Sequence, residues 1–173
     1  DGASVGAGGY TISVTCAPLE CIPSAATIDC ATSGLAGSNT QDGWTDAHDS
    51  YGCGGDTPGR EFMYTFVSTV DGDVTVTLDI GDPRTDLDLF ILEDTGAGCT
   101  VGNCVKASMT RLDEILSFEA SIGTTYYVVV DRGGVPGSRG DYAITVECDA
   151  PPDGGPPDDL RHRLGYLPQD FGV

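Results

Sequence analysis

The chain has 173 residues and a formal net charge of -19, so it is long enough for one domain with a hydrophobic core and is strongly acidic. The acidity excludes charge-driven binding to nucleic acid or anionic membranes, and no apolar run reaches the ~18 residues that span a bilayer. The 25 glycines and 10 prolines exclude a helical bundle, and 39% hydrophobic residues exclude a disordered acidic tail.

The first predicted element is an N-terminal strand that recurs near the end of the chain. Residues 1–16 run from an aspartate through a glycine-rich stretch to an alternating strand that ends on a cysteine, and residues 131–148 do the same. This indicates a tandem repeat, although two amphipathic strands can also match by chance. A lone amphipathic strand cannot bury its apolar face, so we expect it to complete a neighbouring module or subunit. The residues of this assembly strand are Tyr10, Ile12, Val14 and Cys16.

Residues 31–60 are predicted to form a long irregular segment, because glycine and serine are frequent and no periodicity is present. A loop of this length in a compact domain is usually functional or cross-linked. Trp44 and Tyr51 within it can face a sugar or a partner, but plugging the core is the more common use of such aromatic residues.

From residue 62 onward, apolar and polar residues alternate with the period of two that indicates β-strands. Turn residues at 70–73 predict a hairpin between the first two strands. The segment 124–130 is nearly all β-branched or aromatic, which predicts a central strand buried on both faces. These patterns predict an all-β fold, an antiparallel β-sandwich of the jelly-roll type. The predicted strands are residues 62–67, 73–80, 86–92, 104–110, 114–120, 124–130 and 142–146.

The C-terminal part divides into a linker and a short tail. Residues 149–159 are rich in proline, glycine and aspartate, a composition typical of extended linkers. Residues 160–173 are too short to fold alone, and their apolar side chains suit docking on another surface. The predicted organisation is therefore a connecting strand (1–16), a β-sandwich domain (17–148), this linker and this tail.

The seven cysteines favour disulfides in an oxidising, extracellular compartment. No CxxC pair is present and the two histidines stand alone, which disfavours zinc. The sandwich domain contains an even number of cysteines and leaves Cys16 over. The expected bridges, in order of preference, are Cys99–Cys104, Cys30–Cys53 and Cys21–Cys148. A bridge between Cys16 and Cys21 is an alternative, since spacing does not determine connectivity.

Clustered aspartates are the candidate metal ligands, because Ca²⁺ prefers six to eight carboxylate and carbonyl oxygens. Asp86 and Asp88 lie two positions apart on one predicted strand and therefore point to the same face. The alternative is that these acids form a solvated outer face that keeps the sheet soluble. The predicted calcium ligands are Asp82, Asp86, Asp88 and Asp131, with Asp79 and Asp141 nearby. A second acidic group in the irregular segment consists of Asp42, Asp46, Asp49 and Asp56.

No catalytic site is predicted, and the chain is expected not to be an enzyme. His48, beside Asp46 and Asp49, is the one conceivable general base, but no G-x-S-x-G motif accompanies it and Ser50 is merely adjacent. Paired carboxylates for glycoside hydrolysis are compatible with the composition, but glycine-rich loops between short strands predict no cleft.

Five blocks of the sequence resemble the bacterial pre-peptidase C-terminal domain. They are residues 59–66, 72–78, 85–92, 123–131 and 140–146, in the order and spacing of that family. The cysteines make the chain similar to the tandem copies in large secreted proteins of myxobacterial type. The resemblance implies a non-catalytic β-sandwich attached to secreted peptidases and other exported proteins, and the related collagen-binding domains of clostridial collagenases bind calcium. It says little about the ligand, because one fold hosts many functions.

Two functional hypotheses follow. The first is a structural module of a secreted or cell-surface protein, joined head to tail to neighbouring copies by strand addition and able to form filaments. The second is an accessory domain of a secreted hydrolase that binds a substrate or an extracellular polymer. The strand of residues 10–14 distinguishes them, because the first hypothesis requires it to pair with another copy or module.

Overall fold

The computed structural model describes residues 26–40, 44–55, 57–134 and 140–149. This part of the chain contains nine strands and one turn of 3₁₀ helix at Val101–Asn103. The strands are β1 (Thr27–Ile28), β2 (Leu35–Ser38), β3 (Glu61–Val67), β4 (Gly72–Asp79), β5 (Leu87–Glu93), β6 (Cys104–Ser108), β7 (Glu114–Ala120), β8 (Thr125–Arg132) and β9 (Asp141–Cys148). Every strand predicted beyond residue 60 is confirmed, with bounds that differ by at most a few residues.

The strands form two sheets, in the orders β1-β3-β8-β5-β6 and β2-β9-β4-β7. All pairings are antiparallel except the short parallel pairing of β1 with β3. From β2 onward, successive strands alternate between the sheets except at β5 and β6, which is the connectivity of a jelly roll. The predicted antiparallel sandwich of jelly-roll type is therefore confirmed.

The turn between β3 and β4 does not close a hairpin. β3 pairs with β8 in one sheet, whereas β4 pairs with β7 and β9 in the other, so the predicted hairpin at residues 70–73 is wrong. Both strands bury alternate residues in the same core from opposite layers, and periodicity alone does not distinguish this arrangement from a hairpin. Gly72 has a φ of 151°, a conformation that side-chain-bearing residues rarely adopt, where the chain crosses between the sheets.

The main hydrophobic core lies between the sheets and is filled from both of them. Phe66 of β3 and Leu78 of β4 have no exposed surface, and β8 is buried on both faces as predicted. The hydroxyls of Tyr64 and Tyr142 join the two sheets across this core at 2.7 Å. Trp44 is 4% exposed in the same core, so its predicted use as a core residue is confirmed.

A smaller hydrophobic cluster lies on the outer face of the five-stranded sheet and consists of Tyr51, Met63, Phe90, Leu92, Cys99, Tyr127 and Val129. We call residues 44–55 and 57–60 the covering loop, because this segment lies over the cluster. Its Tyr51 stacks on Phe90 with the ring centroids 4.1 Å apart. The segment 31–60 is largely irregular as predicted, but β2 was missed, because its four residues include Gly37 and show no alternation.

Disulfides fix the covering loop and the ends of the sandwich. Cys30 is bonded to Cys148 at the end of β9, across a sequence separation of 118 residues. Cys53 of the covering loop is bonded to Cys104 of β6. Cys99 is disulfide-bonded as well. The expected bridges Cys99–Cys104, Cys30–Cys53 and Cys21–Cys148 are therefore wrong, because the fold brings the covering loop, rather than the neighbouring cysteine, to β6.

Several predicted features lie outside the described residues. They are the strand with Tyr10, Ile12, Val14 and Cys16, residues 150–159 of the linker, the tail of residues 160–173, and Cys21, Asp42 and Asp56. Within the described ranges, no helix is long and apolar enough to cross a membrane.

Candidate functional site

Two of the predicted calcium ligands lie side by side on the five-stranded sheet. Asp88 of β5 is paired in register with Asp131 of β8, and Asp131 is paired in turn with Glu61 of β3. Residues directly opposite one another on neighbouring strands point to the same face, so these carboxyl groups form a row. We call Glu61, Asp131 and Asp88 the buried acid row, because they are 2%, 0% and 6% exposed.

The covering loop supplies hydrogen-bond donors to the buried acid row. Tyr51 donates its hydroxyl to Oδ2 of Asp131 at 2.7 Å, and Thr57 donates to the same oxygen at 3.0 Å. Thr45 donates its hydroxyl to Oε1 of Glu61 at 2.9 Å. The second oxygen of each acid, Oδ1 of Asp131 and Oε2 of Glu61, is buried without a hydrogen-bond partner.

Burial changes the protonation of two members of the row, Asp131 and Asp88. For Asp131, burial is the largest cause of a pKa raised to about 8, Glu61 adds to the rise, and the hydrogen bonds from the covering loop oppose it. For Asp88, burial and then the charges of Asp86 and Glu114 raise the pKa to about 7. A buried carboxyl group is more stable when neutral, so these two groups retain protons near neutral pH.

The other predicted calcium ligands do not join the row. Asp82 lies on an exposed turn, where it forms an ion pair with Arg84 at 3.2 Å, and Asp86 precedes β5. Neighbouring strands are ~4.8 Å apart, so the outer members of the row are separated by about 10 Å rather than gathered around one point. Within the described ranges, no three acidic, histidine or cysteine side chains are placed to hold a metal ion. Calcium binding at the four aspartates stays a prediction.

The described members of the second acidic group lie on the covering loop with His48. Asp46 and Asp49 are exposed there, and the His48 ring lies 6.5 Å from that of Tyr51. Nε2 of His48 is buried without a hydrogen-bond partner, so within the described chain no serine hydroxyl or thiol is bonded to it. These residues therefore do not form the nucleophile–base pair that hydrolysis requires.

The outer face of the four-stranded sheet is open to solvent. Alternate side chains of β4, β7 and β9 point outward from it. They are the exposed acids Asp73, Asp79, Glu119, Asp141 and Glu147, the hydroxyl residues Thr75, Thr77, Ser117 and Thr145, and the apolar residues Ile115 and Ala143. The strands of this sheet contain no lysine, arginine or histidine. We call this surface the open acidic face.

Acids on this face lie close to one another. Asp73 and Glu119 are directly opposite on β4 and β7, an unfavourable placement for like charges. Asp79 and Asp141 line a shallow depression of about 260 Å³ at the other end of the sheet. Lys106 of β6 reaches the edge of the sheet, where it donates to the carbonyl oxygen of Ser117 rather than to a carboxylate. The negative charge of the face is therefore largely uncompensated by the described residues.

The sequence did not predict which residues form the buried acid row and the open acidic face. Glu61 is not among the predicted ligands, because it stands at the start of its strand and far from the aspartates in sequence. The alternation of acids and threonines along β4 is visible in the sequence, but the sequence does not show which strands lie beside β4 in the sheet. Pairing between distant strands, which periodicity does not specify, decides which acids meet.

Within the described ranges, no exposed aromatic side chain offers a platform for a sugar ring. The exposed large hydrophobic side chains of the described chain are all aliphatic or methionine, and Tyr51 and Trp44 are buried. Stacking on an exposed ring is therefore absent from the described surface.

No family model and no curated protein matches the chain. Solved structures do show similarity, including the pre-peptidase C-terminal domain of a collagenase from Bacillus anthracis, with 16% identity and a TM-score of 0.48 over 73% of this chain and 97% of that one. The Yersinia pseudotuberculosis-derived mitogen has 14% identity and a TM-score of 0.44 over 71% and 90%. A family 35 carbohydrate binding module from an environmental isolate has 12% identity and a TM-score of 0.36 over 78% and 92%. The first of these is a domain of the type that the sequence blocks resemble.

Proposed function

We propose that the chain is a non-catalytic extracellular module that binds a basic polypeptide on its open acidic face. The observation that carries this proposal is the placement of exposed acids on a sheet whose strands contain no basic residue. The disulfides Cys30–Cys148 and Cys53–Cys104 support an oxidising, extracellular location.

The chemistry of the face favours a cationic, hydrogen-bonding partner. Direct opposition of Asp73 and Glu119 lowers stability, and a bound ammonium or guanidinium group would relieve it. Threonine and serine hydroxyls between the acids offer further acceptors for the same groups. The net charge of -19 would also steer a basic partner toward the module and repel an acidic one.

A lysine-rich peptide tests this proposal directly. We expect a fluorescein-labelled decalysine peptide to bind at 50 mM NaCl and to be released as the salt concentration rises. The variant Asp73→Asn/Glu119→Gln removes the opposed pair and is expected to bind about fivefold more weakly, since each exposed charge contributes ~0.5 kcal/mol. Fluorescence anisotropy measures both dissociation constants.

The control variant Asp46→Asn/Asp49→Asn removes the same charge from the exposed part of the covering loop. We expect it to bind decalysine within twofold of the wild type. If the two variants bind equally, the peptide responds to net charge alone and the open acidic face is not the site.

Head-to-tail assembly is a second candidate function, and the sequence repeat favours it. Residues 1–16 carry the same strand pattern as residues 131–148, which include β9, the last strand of this sandwich. Residues 1–16 are therefore a candidate for completing another copy or module. Electron microscopy of the purified chain at high concentration tests this: filaments are expected, and dispersed single particles would contradict it.

A further inference from the structure

The tail contains a basic segment in an otherwise acidic chain. Arg161 and Arg163 account for two of the eight lysine and arginine residues, and His162 stands between them. Nowhere else in the sequence do two basic residues fall within three positions. Leu160 and Leu164 flank the segment, so it combines positive charge with apolar side chains.

The chain leaves the sandwich at the open acidic face. β9 lies between β2 and β4 in the four-stranded sheet, and its Glu147 belongs to the face. The amide of Asp149, just beyond β9, donates to the carbonyl oxygen of Asp73 at 2.8 Å. The linker therefore begins next to the end of the face that carries Asp73, Glu119 and Glu147.

The linker is long enough to return the tail to that surface. A proline-rich chain extends by ~3.1 Å per residue, so residues 150–159 reach about 30 Å at most. An eight-residue strand such as β4 is about 27 Å long. The basic segment can therefore reach every part of the face on its own molecule.

Spacing and chemistry match between the two surfaces. In an extended segment, Arg161 and Arg163 point to the same side about 7 Å apart. Glu147 is opposite Thr75, which places it diagonally across from Asp73 at ~7–8 Å.

On the basis of the proposed function, we infer that residues 160–173 dock on the open acidic face of the same molecule and compete there with the basic partner. The occupant is the chain's own tail rather than a second copy, because a short linker gives an effective concentration in the millimolar range. A partner must then displace the tail before it binds.

The variant Arg161→Ser/Arg163→Ser in the full chain tests the competition. The two substitutions weaken the docking of the tail and so increase the fraction of molecules whose acidic face is open. We therefore expect the apparent dissociation constant of decalysine to fall by about threefold to tenfold at 50 mM NaCl. The matched control Arg60→Ser/Arg111→Ser removes the same charge from two exposed positions and is expected to change that constant by less than twofold. Equal effects of the two variants would overturn the inference.

Nuclear magnetic resonance supplies a readout that does not depend on the probe. Chemical-shift differences between the wild type and Arg161→Ser/Arg163→Ser are expected at Asp73, Glu119 and Glu147, and their absence there would overturn tail docking. Differences that grow with protein concentration would assign the contact to a neighbouring copy and overturn docking within one molecule. If neither the wild type nor the variants bind decalysine, the proposed function is contradicted. The chemical-shift differences then still test whether the tail docks on the face.

Discussion

The two outer faces of the sandwich place their acidic residues in opposite environments. On the five-stranded sheet, the covering loop buries Glu61, Asp131 and Asp88 and donates hydroxyl groups to Asp131. On the four-stranded sheet, Asp73 and Glu119 remain in water with no basic residue on their strands. A buried carboxylate loses its hydration and must be neutralised or hydrogen-bonded, whereas an exposed one keeps its charge for a partner. Among the acids that point outward from the sandwich, the buried ones therefore lie on the five-stranded sheet and the exposed ones described here on the four-stranded sheet.

The largest effect is expected from removing the ring that holds the covering loop in place. Tyr51 is 5% exposed, stacks on Phe90 and donates to Asp131. We expect Tyr51→Ala to lower the free energy of unfolding by about 3–5 kcal/mol, because it leaves a cavity and an unsatisfied acceptor. Urea denaturation measures the change. Thr77→Ser on the open face serves as the control, with a change of at most ~0.5 kcal/mol, and similar values for both variants would contradict the distinction between the faces.

The next effect concerns the bridge that ties the covering loop to β6. We expect Cys53→Ser/Cys104→Ser to lower the free energy of unfolding by about 2–4 kcal/mol, because the unfolded chain loses a cross-link. The open face belongs to the other sheet, so decalysine affinity should stay within twofold of the wild type at 20 °C. A comparable loss of affinity would mean that the two faces are coupled.

The buried acid row predicts a pH dependence that the open face does not. The pKa of Asp131 is about 8 when folded, against ~3.9 for an unperturbed aspartate, and that of Asp88 is about 7. Between pH 4 and pH 8 the folded chain therefore binds more protons than the unfolded chain. This contribution to stability falls over that range and is lost once the pH has risen through 8.

Asp131→Asn isolates this contribution, because the amide oxygen still accepts the hydrogen bond from Tyr51 while the charge is removed. We expect the variant to be more stable than the wild type at pH 9 and to lose less stability between pH 5 and pH 9. Urea midpoints at pH 5, 7 and 9 test this. Parallel curves for the two proteins would show that Asp131 does not titrate in this range.

The sequence predicted the features that depend on local patterns. Alternation from Gly72 to Asp79 and from Glu114 to Ala120 identified β4 and β7, because a half-buried strand imposes a period of two wherever it lies in the fold. The burial of β8 on both faces followed from its β-branched and aromatic residues in the same way.

Features that depend on which distant strands meet were not predictable in this way. Cys53 and Cys104 are separated by 51 positions, and Glu61 and Asp131 are paired across the sheet from distant parts of the chain. Both contacts arise from the jelly-roll connectivity. Sequence proximity therefore favoured Cys99 as the partner of Cys104 and left Glu61 out of the acidic group.

The smallest expected effect comes from removing a like-charge repulsion on the open acidic face. Asp73 lies directly opposite Glu119, so Asp73→Thr removes a like-charge repulsion and adds a residue with high strand propensity. We expect the free energy of unfolding to rise by about 0.3–0.5 kcal/mol at 20 mM NaCl. The gain should shrink at 0.5 M NaCl, where the Debye length falls to about 4 Å and the wild-type repulsion is screened.

The same variant should bind decalysine more weakly, because it removes one anion from the site. A variant that gains stability without losing affinity would separate the repulsion from the binding site and place the peptide on other acids of the face.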